Sequence, residues 1–360
     1  MNKLSLKKII IIFYILIFVF LIFKNTTNNQ ESISQPIEET KEKQTIYKDV
    51  ISIELLSDTK EIYSPGNNKG YRYGPSIIIN EDQTYDCYFS SPGNNYNEWD
   101  YIRYRHTDSD FNYQKEEIVL RPTRGSLDAC SVCDPGVFQY GEYYYIGYTA
   151  TNDSKADGFN NSLFIARSKN PNGPFEKWNG EGWGKDVYPI IMNYSPEAWG
   201  YGEPSFVVVN DKLYMYYSAY LPSGYKTMVI TASLNDENWP SHLSATHVSF
   251  YKYDSQDSCD VVYIEEDKKF LALTIANRMK DNSSIYVFES EDGLNFYYVD
   301  NINEGIEEFA HNIGISKRSN GHVSREDNLY IAYSYGSEWG RWPTVLKNIK
   351  LKDKQIEVDE

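Results

Sequence analysis

Five short segments of the 360-residue sequence repeat one layout: a polar residue or glycine, an apolar strand, a polar turn and a strand rich in large apolar or aromatic side chains. They are GPSIIIN from Gly74, DPGVFQY from Asp134, EPSFVVV from Glu203, DVVYIEED from Asp260 and HNIGISK from His311, with starts 60, 69, 57 and 51 residues apart. Four of these five starting residues are ionisable. Packed around one axis, such positions converge, and crowded carboxylates raise one another's pKa. One acid then stays protonated near neutrality. Glycoside hydrolysis needs such an acid for the leaving oxygen, and a second carboxylate as base or nucleophile. The competing use of Asp is to tie down turns by accepting backbone N–H bonds.

The elements that must position these residues are strands. A third strand follows in most copies, as WDYIRYRHT, SLFIARSKN, KTMVITASL and SIYVFESED. A fourth edge is expected at DFNYQ, GPFEKW, DENW and GLNFYYV. Four-stranded antiparallel sheets repeated radially make a propeller, so the expected fold is an all-β, five-bladed β-propeller over residues 48–360. The first strand of each blade then lines a central channel. With 33 Tyr, 16 Phe and 7 Trp, the chain has the aromatic excess of a strand-rich protein that can also face carbohydrate.

Residues 9–23 read IIIIFYILIFVFLIF, preceded by Lys3, Lys7 and Lys8 and followed by Lys24. The run, with no A-x-A-like cleavage site after it, is expected to be an uncleaved signal anchor over 1–24, a membrane helix; the alternative is a cleaved signal. Either places the remainder outside, with the lysines cytoplasmic. Residues 25–47 are polar and expected to form a stalk. The net charge is −16, from 35 basic and 51 acidic residues. Such a surface disfavours nucleic acid, and a neutral partner or a cation is easier to accommodate. Cys87, Cys130, Cys133 and Cys259 allow three disulfide pairings or free thiols, and a single C-x-x-C is a weak zinc signal.

The runs CDPGVFQYGEYYYIGYT and GYGEPSFVVVNDKLYMYYS resemble the second- and third-blade motifs of five-bladed glycoside hydrolases of families 43 and 32. The resemblance implies three acids: a blade-one Asp as base or nucleophile, a blade-two Asp that orients substrate and tunes the acid, and a blade-three Glu as general acid. It gives the second role to Asp134 and the third to Glu203. The first falls on Gly74, which has no side chain, so Asp100 and Asp128 become the candidates for a relocated base. Three outcomes stay open: hydrolysis with that base, phosphorolysis with Arg72, Arg341 and His311 holding phosphate, or a glycan-binding propeller without catalysis.

Tyr73, Trp199 and Trp339 stand at repeat edges and are expected to stack on sugar faces, with Asp260 and His311 facing substrate from the channel. Arg72 and Arg341 suit an acidic sugar. A calcium ion or other cation in the channel would fit converging Asp and Asn oxygens. No G-x-S-x-G, P-loop or H-E-x-x-H motif occurs. The expected partner is an oligosaccharide or polysaccharide.

Overall fold

A computed structural model describes residues 46–95, 97–155 and 158–358. The anchor expected at 1–24 and nearly all of the stalk lie outside them; a strand starting at Ile46 takes in the last stalk positions. Among the described residues no helix is long and apolar enough to cross a membrane, and the only helix is one 3-10 turn, Trp239–Ser241.

Five four-stranded antiparallel sheets make the five blades. From the channel outward, blade one is Tyr73–Ile79, Tyr85–Asn95, Glu98–Thr107 and Tyr113–Leu120. Blade two is Ser131–Tyr140, Tyr143–Thr151, Ser162–Ser168 and Glu176–Lys177. Blade three is Gly200–Val209, Lys212–Leu221, Gly224–Ser233 and His247–Tyr251. The edge expected at DENW is instead a turn entering the 3-10 helix, and His247–Tyr251 takes its place. Blade four is Cys259–Ile264, Lys269–Ala276, Ser284–Ser290 and Tyr297–Ile302, with His322–Val323 added parallel to its inner strand.

Blade five is composite. His311–Ile315, Leu329–Ser334 and Thr344–Val358 are covered by Ile46–Tyr63, a strand from the other end of the domain. Across that seam Gln355 donates to Asp49 at 2.9 Å and Lys347 to Thr59 at 2.7 Å. Alternating strand residues fill the spaces between blades, as where Phe138 and Tyr145 meet Phe206 and Trp239 between blades two and three. All four cysteines are buried and unpaired.

The inner strands of blades one, two, three and five share a bulge, with register shifts at Tyr73/Ser76, Cys133/Gly136, Gly202/Ser205 and His311/Gly314. Each bulge holds one left-handed residue: Gly74 at φ 60°, Asp134 at 48°, Glu203 at 55° and Asn312 at 51°. A bulge re-aims its side chain, here toward one end of the channel. A hydrogen bond repeats beneath it. Val137 N–H donates to Ser76 Oγ, Val261 N–H to Ser205 Oγ and Ile315 N–H to Asp260 Oδ2. Asp260 therefore corresponds to Ser76 and Ser205, two residues below the mouth. The mouth position of blade four is Ser258, and that of blade five is Asn312 rather than His311.

Candidate active site

The bulges open into a cavity of about 770 Å³ at the channel mouth, reached from every blade: Asp100 from blade one, Asp134 from two, Glu203 from three, Arg278 from four and Asn312 from five. Four acids line it: Asp100, Asp134, Glu203 and the exposed Glu197. Glu203 is buried; its N–H donates to Thr149 Oγ1 at 2.8 Å, and its Oε2 has no hydrogen-bond partner. Burial pushes its carboxyl up to about 8, the negative charge of Asp257 adds to this, and the Lys252 ammonium, 3.9 Å from Oε2, opposes it. Burial pushes Asp134 up to about 7, against hydrogen bonds from Thr149 and Cys133. Its own N–H is held by Ser90 Oγ at 2.7 Å. Burial pushes Asp100 up to about 6, restrained by bonds from Tyr71 (2.6 Å) and Ser131 (2.9 Å). Near pH 7 the site thus offers a protonated Glu203 and an ionised Asp100.

Sequence reasoning missed the groups that set these charges. Asp257 lies one residue before Ser258, accepts the Asn312 N–H at 2.7 Å and sits 3.1 Å from Arg278 Nε. Burial alone would raise it, but Arg278 and the other facing donors outweigh that and hold it below the usual carboxylate range. Lys252, also buried, donates to Ser218, Tyr220 and the Asp257 carbonyl. No local pattern marks Asp257, Lys252 or Arg278. The one available signal is the QDSCD run, where counting back two residues from Asp260, the repeat's own offset, reaches Ser258, with Asp257 next to it.

The remaining expected residues divide. Tyr73, Trp199 and Trp339 all line the cavity. Tyr73 packs with Tyr71 and Trp342 (ring centroids 5.3 and 5.7 Å), Trp339 stands on Trp342 at 5.0 Å and is exposed, and Trp199 meets Tyr220 at 5.0 Å. The other five do not line the cavity. Asp128 is fully buried between blades one and two, accepting from Lys177 (2.5 Å), Ser126 and Tyr148; it staples the fold and does not line the mouth cavity. Asp260 pairs with Lys317 at 2.5 Å and accepts from Ser205, a staple in the channel wall. Arg72 is spent on Glu116, by two bonds of 2.9 and 2.6 Å. Arg341 ties the Gly66 carbonyl and Glu338 at the rim. His311 is fully buried against Trp342, and burial together with Arg278 lowers it to about 4, so it is neutral at pH 7. The three groups that phosphorolysis would use are therefore not gathered. Among the described residues no group of three or more His, Cys, Asp or Glu is placed to hold a metal, and the cations facing the acids are Lys252 and Arg278.

No family model matches the sequence, and no curated protein is similar to it in sequence. Solved structures do match. A family 117 glycoside hydrolase produced by the marine bacterium Zobellia galactanivorans is 14% identical, covering 84% of this chain and 90% of its own, with a TM-score of 0.58. An α-L-arabinofuranosidase from Podospora anserina, in complex with cellotriose, is 13% identical over 81% of this chain and 95% of its own, with a TM-score of 0.57. A thermostable family-43 glycoside hydrolase is 13% identical over 81% and 92%, with a TM-score of 0.55. At such identity the likeness is one of fold. The chain has the five-bladed β-propeller fold of these glycoside hydrolases, with its acidic cavity at the mouth of the channel.

Proposed function

We propose that the protein is a glycosidase acting on a glycan outside the membrane that its N-terminal apolar run would anchor. Glu203 protonates the glycosidic oxygen, Asp134 orients the sugar beside it, and Asp100 activates a water. The observation that carries this is the buried Glu203 carboxyl, with one oxygen lacking any hydrogen-bond partner, in a cavity walled by aromatic rings. Burial keeps it protonated, and Asp257 adds to this because a second negative charge close by is unfavourable. Asp100 takes the role that Gly74 cannot fill.

The test uses the full chain with aryl glycosides and polysaccharides, wild type beside Glu203→Gln. A general acid contributes about 10²–10⁴-fold, and most where the leaving group needs its proton. Polysaccharide cleavage should fall by that factor, and cleavage of a nitrophenyl glycoside, whose phenolate leaves unaided, by much less. Equal polysaccharide rates in the two proteins would overturn the assignment. The missing carboxylate at Gly74 favours a second reading, a lectin; it predicts equal glycan binding by both proteins and turnover by neither.

A further inference from the structure

Away from the acids, a groove of about 570 Å³ runs between the outermost strand of blade three and the outer strands of blade four. Its floor is Phe250 stacked on Phe288 at 4.3 Å. Its rim is tyrosine: Tyr251, Tyr253 and Tyr298 are each about half exposed or more, at 52%, 68% and 49%. No Lys or Arg lines it, and its one carboxylate, Asp254, accepts from Tyr286 at 2.9 Å. Two further lining side chains, Ser249 and Gln256, are more than nine-tenths buried, and their Oγ and Oε1 have no hydrogen-bond partner. Rings for apolar faces, hydroxyls at the rim, unused polar atoms and no cationic residue are the chemistry of a neutral sugar site.

The groove also adjoins the central cavity. Gln256 lines both, and the segment Tyr253–Gln256 is the wall between them. That wall is fixed. Asp254 and Ser255 are both left-handed, at φ 51° and 52°, and their carbonyls accept the N–H groups of Asn277 and Arg278. Tyr220, on the cavity side, donates to the Gln256 carbonyl at 3.1 Å.

We propose that this groove is an accessory glycan-binding site, which holds a distant stretch of the same neutral polysaccharide whose cleaved end occupies the cavity. The inference rests on the glycosidase reading for the cavity. Its consequence is that the protein grips polymer more tightly than it grips short oligosaccharides.

The experiment is affinity electrophoresis of the full chain in gels containing arabinan, arabinoxylan or galactan, with a trisaccharide of each polymer as the short probe in solution. The variants are Tyr253→Ala/Tyr298→Ala in the groove and Trp199→Ala in the cavity. Both tyrosines are well exposed, so the fold should survive, and a thermal melt checks this. The expected result is retardation of the wild type by at least one polymer, weakened about tenfold or more in the tyrosine variant while trisaccharide binding is unchanged. Retardation that Trp199→Ala abolishes and the tyrosine variant leaves intact overturns the groove and keeps the cavity reading. No retardation by any polymer overturns the groove, and the cleavage assays then decide the cavity reading separately.

Discussion

Glu203→Gln also tests the electrostatics of the cavity without any substrate. The substitution keeps the side chain's shape and removes its ionisation. In the folded chain the carboxyl titrates at about 8 against an ordinary 4.5. A pKa raised by folding gives stability that is complete below the unfolded value and is lost as pH rises through the folded one. At pH 7 roughly 2.5 units of that interval have been crossed, which at about 1.36 kcal/mol each sets a ceiling near 3 kcal/mol. Water entry and closer approach of Lys252 to the new charge bring this to about 1–2 kcal/mol. With about 2 °C per kcal/mol for a domain of this size, the variant's Tm should gain on the wild type by about 2–4 °C between pH 5 and pH 8. Differential scanning fluorimetry across that range measures it. Two melting curves that stay parallel from pH 5 to pH 9 would refute the argument, because Glu203 would then ionise as freely folded as unfolded.

Four further outcomes are expected. The pH profile of kcat/KM should be bell-shaped, rising as Asp100 ionises near pH 6 and falling as Glu203 loses its proton near pH 8. Asp100→Asn should cut kcat by about 10²-fold or more and erase the acid limb of that profile, leaving the alkaline limb in place. Lys252→Met removes the positive charge beside Glu203, so the alkaline limb should move to higher pH; an unmoved limb would show that the ammonium does not sense the acid. Asp128→Asn should cost about 3–5 kcal/mol by leaving the Lys177 ammonium uncompensated, seen as a lower denaturation midpoint, with kcat/KM unchanged.

The repeats were legible because the inner strands alternate sharply with turns, and because Asp134-Pro135 and Glu203-Pro204 carry an acid and a proline at the same bulge. Blades four and five lack that proline, and there the nearest conspicuous residues, Asp260 and His311, drew the register away from Ser258 and Asn312. The slip had a cost: it hid Asp257, whose role comes from neighbours on blades three, four and five and not from its own motif. Arg72 and Asp128 were misplaced for the opposite reason. Their types suit chemistry, but Glu116 and Lys177, which neutralise them, lie 44 and 49 residues away and meet them only in the folded chain. The fourth strand of blade five was invisible for the same reason of distance, since Asp49 and Gln355 are 306 residues apart.

That composite blade bears on how the protein is made. The four antiparallel strands of each of blades one to four come from contiguous chain and can form in order as synthesis proceeds. The ring cannot shut until Thr344–Val358 has emerged to receive Ile46–Tyr63, so the first strand made waits longest for its partner. During that wait Ile51 and Ile53, which end in the core, remain uncovered, and the nascent domain is at its most vulnerable to misassembly with another copy. Once shut, the seam works as a clasp: unfolding must release pairing between distant ends before any blade is free, which favours slow loss of structure and long survival over rapid refolding.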